Sequence, residues 1–199
     1  MLFPSCILLF FAARSQNTFE PVRPQKRIVA TRIDTSLAID GRLNEPAWQI
    51  AAIVRDFGEI DPVQGGMPSQ RTVIKLLYNK DYLYIGAICY DTVGRKGLRV
   101  PNFQRDFNPP DHDHIAVLLD GFHDARNAMA FLVNPYGVQR DVLCFDNRLF
   151  DVNWDGLWKA RTSRSDSGWI AEIAIPWKTL RYAGGDLQSW GINFVRMRR

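Results

Sequence analysis

Cysteine is scarce in this chain, which has only three among its 199 residues. Cys6 lies in an apolar N-terminal stretch, whereas Cys89 and Cys144 lie in apolar runs typical of strands. A domain of this length can bury a hydrophobic core of its own, so it does not depend on disulfide bonds for stability. The sequence therefore leaves two alternatives open for Cys89 and Cys144, a disulfide bond or two buried free thiols.

Long apolar runs are absent after residue 13, and the run at residues 1–13 is followed directly by polar residues. This run is shorter than the roughly 20 residues that cross a bilayer, and small residues follow it at the spacing that a signal peptidase requires. We therefore predict a signal peptide at residues 1–15 and an exported protein, located in the periplasm, in the outer membrane or outside the cell. Residues 16–26 are predicted to be an extended leader, because Pro21 and Pro24 disfavour a helix. The folded domain is predicted at residues 27–199.

Glutamate is also rare, with four in the whole chain. A glycoside hydrolase needs two carboxylates that flank a cleft, but Glu45 lies in a turn sequence and Glu172 is predicted on the solvent side of a strand. Neither a nucleophile elbow nor a phosphate-binding loop is found in the sequence. The net charge of +4 is modest and the basic residues are scattered, which gives little support to nucleic-acid binding. We therefore predict a non-catalytic domain that does not bind nucleic acid.

What the chain does contain is a series of about nine short runs rich in β-branched and aromatic residues. Apolar residues alternate within them, so that Ile115, Val117 and Leu119 share one face, as in a sheet with one buried side. Turn sequences such as residues 134–137 separate the runs, and no βα unit recurs. The prediction is an all-β fold, an antiparallel β-sandwich of the jelly-roll kind with one short helix near Pro46.

Tryptophans beside Asp and Asn residues in the segment at residues 151–158 are typical of sugar contacts. Trp154 and Trp158 are the candidate platforms, because an aromatic face suits the apolar C–H side of a pyranose ring. Arg105 and Tyr136 complete the candidate carbohydrate-binding set. The alternative for Trp158 is that it opens a strand and packs in the core.

A dense polar cluster at residues 105–114 offers a second kind of candidate site. Asp111 and Asp113 are candidate calcium ligands, because a hard cation prefers carboxylate and amide oxygens on a loop. The alternative is a turn whose carboxylates pair with Arg105 or cap backbone amides.

The run from Ile39 to Trp48 resembles the opening signature of the family 9-like carbohydrate-binding domains. The run from Gly168 to Trp177 is also similar, and the resemblance extends over roughly residues 28–195. In this comparison Trp48 is expected to anchor the core. The resemblance implies a module that binds poly- or oligosaccharides in polysaccharide catabolism.

Within that family, residues 120–139 are most similar to the N-terminal domain of large bacterial exported proteins. The resemblance implies a C-terminal region in the full-length protein, expected to be an outer-membrane β-barrel to which the domain could dock. It also implies that at least one further strand follows Arg199.

The resemblance places Pro110, Ala116 and Leu132 where sugar-binding members have a Trp, a Glu and an Arg. It therefore implies that the family's known sugar site is absent. Three functions follow as expectations: a sugar module with a relocated site, a structural or interaction domain that keeps the fold, and an accessory domain of a glycoside hydrolase.

Overall fold

A computed structural model of the protein describes residues 26–185 and 187–199. The predicted signal peptide and all but the last residue of the predicted leader lie outside the described residues. Within the described residues, no helix is long and apolar enough to cross a membrane.

The described residues form eleven strands and four short 3-10 helices. The strands are β1 (Thr31–Arg32), β2 (Ala52–Val54), β3 (Thr72–Tyr78), β4 (Tyr82–Tyr90), β5 (His114–Asp120), β6 (Ala128–Val133), β7 (Gln139–Phe145), β8 (Leu149–Asp151), β9 (Lys159–Ser165), β10 (Gly168–Pro176) and β11 (Gly191–Met197). The 3-10 helices are Pro46–Gln49, Gly94–Gly97, Pro109–Asp111 and Trp177–Thr179. The helix at Pro46 confirms the predicted short helix.

The strands form two sheets, which confirms the predicted all-β sandwich. The first sheet has the order β1-β3-β4-β10-β9, with β2 also paired to β3, and the second has the order β11-β5-β6-β7-β8. Every pairing is antiparallel except that of β1 with β3. The very short strands β2 and β8 were not predicted, because three residues are too few to show a period of two.

The main core lies between the two sheets and is built from the alternating residues that the sequence predicted. Ile115, Val117 and Leu119 from β5 are at most 1% exposed, and they pack with residues of β4 and β10. Cys89 of β4 belongs to this core and is fully buried, whereas Cys144 of β7 is partly exposed. Both thiols are free, which argues against the disulfide alternative, but only Cys89 is buried as the second alternative expected.

The segment at residues 39–49 covers the outer face of the first sheet. Trp48 is fully buried there, as expected from its place in the signature. Its Nε1 donates to the carboxylate of Glu172 (3.2 Å), which also accepts the backbone N–H groups of Asp40 (2.8 Å) and Gly41 (2.9 Å). The prediction that Glu172 faces solvent is wrong, because the covering segment makes this face of β10 an interior surface.

Candidate functional site

The outer face of the second sheet is closed by one aromatic side chain. Ala116 of β5 and Leu132 of β6 are direct register partners on this face, and both are buried. Phe107 covers them and is itself only 3% exposed. The face that carries Ala116 and Leu132 is therefore filled by the protein's own side chain.

Two histidines support Phe107 at this face. The Phe107 ring lies 4.7 Å from the ring of His112 and 5.8 Å from that of His114, measured between centroids. Burial lowers the pKa of both histidines, that of His114 to about 4, because a charged imidazolium would lose its hydration there. Both rings are therefore neutral at pH 7. His112 Nε2 is buried without a hydrogen-bond partner among the described residues.

The first residues of β7 hold the loop that contains Phe107 through hydrogen bonds to its backbone. The guanidinium of Arg140 donates to the carbonyl oxygens of Asp106 (2.8 Å) and Phe107 (3.0 Å). The N–H of Asp106 donates to the carbonyl of Gln139 (3.0 Å). Arg105 is thereby placed beside the first residues of β7.

Arg105 joins two loops through a pair of carboxylates. Its Nη2 lies 2.9 Å from Asp141 Oδ1 and 2.5 Å from Asp155 Oδ1. The Asp141 side chain is fully buried, and it also accepts the backbone N–H of Gly156. Burial raises the pKa of Asp141, against the opposing effects of the Gly156 amide and Arg105. Asp155 is 78% exposed at its side chain and therefore faces solvent beside the guanidinium.

Trp154 and Trp158 lie next to this network but mostly pack inward. Both rings contact Phe131 edge to face, with centroid distances of 5.7 Å and 5.3 Å. Trp158 is 9% exposed and belongs to the core, which agrees with its packing alternative, whereas Trp154 is partly buried. Gln139 links this region to Arg105, because its Nε2 donates to the Trp158 carbonyl (3.4 Å) and its Oε1 accepts from Arg105 (3.5 Å).

Tyr136 lies on the turn before β7 and forms an exposed aromatic cluster. Its ring centroid lies 5.1 Å from that of Phe103, and the guanidinium of Arg164 sits 4.3 Å from the Tyr136 centroid. Tyr136 is 44% exposed and Phe103 is 67% exposed. The turn is fixed to β9, because Pro135 accepts hydrogen bonds from Thr162 (2.9 Å) and Arg164 (2.7 Å).

These contacts define one surface, which we call the β7–β9 edge. It comprises the start of β7, the strand β9, the turn at residues 134–137 and the loops at residues 103–107 and 154–158. All four predicted sugar-contact residues lie on or beside it, and their role stays a prediction. Sequence reasoning missed Phe103 and Arg164. Phe103 carried a weak signal, as an aromatic residue two positions before Arg105 in a polar loop, and Arg164 carried none.

The two candidate calcium ligands have different environments. Asp113 is 2% exposed, and its carboxylate accepts the backbone N–H groups of Arg99 (3.0 Å) and Arg199 (2.5 Å). Asp111 is exposed and accepts from Asn108 Nδ2 (2.7 Å). In the part of the chain that the structure describes, no group of three His, Cys, Asp or Glu side chains is arranged to hold a metal ion. Asp113 instead caps two backbone amides, as in the alternative interpretation, whereas Asp111 bonds only the side-chain amide of Asn108.

A concave surface is found between the sheets, lined by residues outside the β7–β9 edge. It encloses about 520 Å³ and is lined by the rings of Tyr78, Trp177, Tyr182 and Trp190 together with aliphatic residues. The indole N–H of Trp177 donates to the Asn79 carbonyl (2.8 Å), and that of Trp190 donates to Gln188 Oε1 (3.3 Å). We call this surface the aromatic groove.

Comparison with solved structures supports the fold. A family 9 carbohydrate-binding module from Caldicellulosiruptor kristjanssonii in complex with cellotriose is 18% identical, with a TM-score of 0.54 over 82% of this chain and 75% of that one. Its complex with glucose gives a TM-score of 0.52 at the same identity, over 82% of this chain and 76% of that one. A proposed carbohydrate-binding protein from Bacteroides uniformis gives 0.64 at 10% identity, over 84% of this chain and 81% of that one.

Comparison with protein sequences gives a relative and a family. The exoglucanase XynX of Acetivibrio thermocellus is 26% identical over 161 residues, which are 80% of this chain but only 13% of that enzyme. Residues 39–196 match the family model described as carbohydrate family 9 binding domain-like. This match covers most of the chain, from the opening signature to β11, and the chain therefore belongs to the carbohydrate family 9 binding domain-like family.

Proposed function

We propose that this domain binds carbohydrate without catalysis, and that the ligand lies at the β7–β9 edge. The observation that carries the proposal is the convergence there, in a domain of this family, of an exposed aromatic pair with a fixed arginine and its carboxylates. The outer face that carries Ala116 and Leu132 is a poorer candidate, because Phe107 fills it.

The edge offers both kinds of contact that a sugar uses. The exposed faces of Phe103 and Tyr136 can pack against the C–H side of a pyranose ring. Arg105 and the exposed carboxylate of Asp155 present a hydrogen-bond donor and an acceptor next to each other, as sugar hydroxyls require. Because the buried Asp141 already holds Arg105 in place, little side-chain entropy remains to be lost on binding.

Calorimetric titration with glucose and cellotriose, followed by a wider panel of oligosaccharides, tests this proposal. We expect saturable heat from the full chain, with at least a tenfold loss of affinity in the Tyr136→Leu and Phe103→Ala variants. A Trp190→Ala variant is the matched control, because it alters the aromatic groove and leaves the edge intact. Loss of binding in the Trp190 variant alone would move the site to the groove.

The metal prediction is tested in the same titration. Calcium at Asp111 and Asp113 stays a prediction, and we propose to repeat the measurement with added calcium and then with a chelator. An affinity or a melting temperature that depends on calcium, and loses that dependence in Asp111→Asn, would support the metal site.

A structural or interaction module is the second candidate function. The closed outer face favours it, because Phe107 occupies a surface that a ligand could otherwise use. A folded sample that gives no heat with any sugar of the panel would favour this role, in which the domain docks to a further region of the same protein.

We also propose that the protein is exported and acts in polysaccharide breakdown, in the manner of an accessory module. The support is the apolar N-terminal run and the similarity to a small part of a bacterial exoglucanase. Secretion of the full-length protein, followed by N-terminal sequencing of the secreted form, tests cleavage before residue 16.

A further inference from the structure

The edge strand β9 carries cations that have no acidic partner. Lys159, Arg161 and Arg164 are all exposed. Among the residues that the structure describes, none of the three forms an ion pair with a carboxylate. Arg105 on the neighbouring loop differs from them, because Asp141 and Asp155 neutralise it. Side chains alternate along the strand, so Arg164 shares with Thr162 the face that contacts the turn at residues 134–137, whereas Lys159 and Arg161 lie on the opposite face. Arg164 is therefore the cation of β9 that faces the aromatic pair.

Arg164 is held in a fixed position beside the exposed aromatic pair. Its guanidinium lies over the Tyr136 ring, 4.3 Å from the centroid, and one Nη donates to the Pro135 carbonyl (2.7 Å). A guanidinium has five N–H groups, and its planar fork matches a carboxylate in a bidentate manner. The one carbonyl contact leaves donors on Arg164 for a ligand, next to the exposed ring of Phe103.

We propose that the ligand of the β7–β9 edge is an acidic saccharide, with a uronic acid carboxylate bound by Arg164 and the sugar ring packed on Phe103 and Tyr136. This inference rests on the proposed carbohydrate-binding function and narrows its ligand class. The carboxylate of a uronic acid lies at the periphery of the pyranose ring, so a ring that covers Phe103 can direct it towards the guanidinium.

The nearby carboxylates do not cancel this attraction. Asp155 and Asp106 are the exposed acids of the edge, and both contact Arg105 rather than Arg164. Asp166, two residues after Arg164, pairs with Arg95 instead (2.9 Å). The charge at Arg164 therefore remains available to an anion.

The test compares a charged trisaccharide with a neutral one. Calorimetric titration of the full chain with trigalacturonate and with cellotriose is carried out at about 20 mM and about 200 mM salt. At low salt we expect trigalacturonate to bind more tightly than cellotriose. At high salt we expect the affinity for trigalacturonate to fall. The Arg164→Gln variant should lose about tenfold in affinity for trigalacturonate, because a charge-assisted bidentate contact is removed. Its affinity for cellotriose should fall less, by about twofold, because Thr162 still bonds the Pro135 carbonyl and keeps the turn that carries Tyr136 in place. An equal loss for both sugars would overturn the assigned carboxylate contact.

Arg148→Gln is the matched control. Arg148 is also an exposed arginine, but it follows β7, whereas Tyr136 precedes it, so the strand separates them by about 20 Å. This variant should bind both sugars like the wild type. Melting temperatures of both variants check that each is folded.

Each outcome separates the two proposals. If cellotriose bound as tightly as trigalacturonate and Arg164→Gln changed neither affinity, the proposal of an acidic ligand would be overturned. Carbohydrate binding at the β7–β9 edge would still stand. Binding of trigalacturonate that is insensitive to Arg164→Gln would overturn the role of Arg164. Absence of binding by both sugars in a folded sample would overturn the inference together with the proposed function.

Discussion

Glu172 shows how one buried carboxylate fixes the opening signature to the first sheet. Its oxygens accept two backbone N–H groups and the indole N–H of Trp48, all from the segment that covers β10. Burial raises the pKa of Glu172, and the amides of Gly41 and Asp40 oppose this shift. The residue is thus a structural acceptor that links two parts of the chain 124 or more positions apart.

Replacing Glu172 by Ala should destabilise the protein by about 3 kcal/mol, because three donors, two of them in buried hydrogen bonds, lose their acceptor. Trp48→Phe keeps most of the packing and removes only one donor, so it should cost about 1 kcal/mol. Urea denaturation at pH 7 measures both. Asp166→Ala, which removes an exposed ion pair with Arg95, is the control and should change stability by less than about 0.5 kcal/mol. A Glu172→Ala variant as stable as this control would contradict the assigned role.

The lowered pKa of His114 predicts how the free energy of unfolding depends on pH. Its folded-state pKa is about 4, below the usual 6.5, because burial disfavours the charged ring. The unfolded chain therefore takes up the proton first, and the stability present above pH 6.5 is lost as the pH falls towards 4. This loss is at most about 3 kcal/mol for His114. His112 acts in the same direction, whereas the raised pKa values of Asp113, Asp141 and Glu172 act in the opposite one.

The comparison of wild type with His114→Gln isolates this contribution. Unfolding free energies of both proteins, measured in urea at pH 7, 6, 5 and 4, should converge or cross on acidification, because only the wild type carries the titrating ring. Parallel pH profiles for the two proteins would show that His114 is not held neutral by the fold.

Among the structural elements, the loop at residues 99–113 depends on Phe107. This side chain fills the space over Ala116 and Leu132, and the loop continues from it to Arg105 at the β7–β9 edge. Phe107→Ala should therefore destabilise the protein by about 3 kcal/mol. It should also speed amide hydrogen exchange at residues 99–108, because the loop loses its apolar contact.

Phe103→Ala provides the control within the same loop. Phe103 is 67% exposed, so its removal should cost under about 1 kcal/mol and leave hydrogen exchange near Phe107 unchanged. If Phe107→Ala were as mild as Phe103→Ala in both measurements, Phe107 would not anchor the loop.

The strands were predictable to the extent that a single residue period determines them. Alternation located β4, β5 and β10 because each has one face in the core over seven residues or more. It did not reveal that the outer face of β10 is covered as well, since that depends on a segment more than 120 residues earlier. Glu172 looked solvent-facing for this reason.

The candidate site was only partly predictable, because it is made by the arrangement of the whole molecule. Composition pointed to Trp154 and Trp158, but both pack on Phe131 of β6, a contact that strand order creates. The meeting of Arg105 with Asp141 and Asp155 likewise joins three separate parts of the chain. Residue types therefore indicated the chemistry of the β7–β9 edge, whereas the relative positions of these residues could be known only from the folded structure.

The two sheets share one core, and the two described thiols can report whether it opens as a unit. Cys89 is fully buried between the sheets, and burial raises its pKa to about 12, so neither exposure nor the thiolate form favours reaction in the folded state. Cys144 is partly exposed on β7. A thiol reagent added to a Cys6→Ser chain should therefore label Cys144 first.

Labelling of Cys89 should require global unfolding, because the residue has neighbours from both sheets. Its labelling in increasing urea should follow the same transition as tryptophan fluorescence, whereas Cys144 should react before that transition. Peptide mass analysis after brief labelling distinguishes the two sites, and a Cys144→Ser variant is the control for the Cys89 signal. If Cys89 reacted as fast as Cys144 in native buffer, the sheets would separate without unfolding, and the positions of the loops at the β7–β9 edge would no longer depend on a single cooperative core.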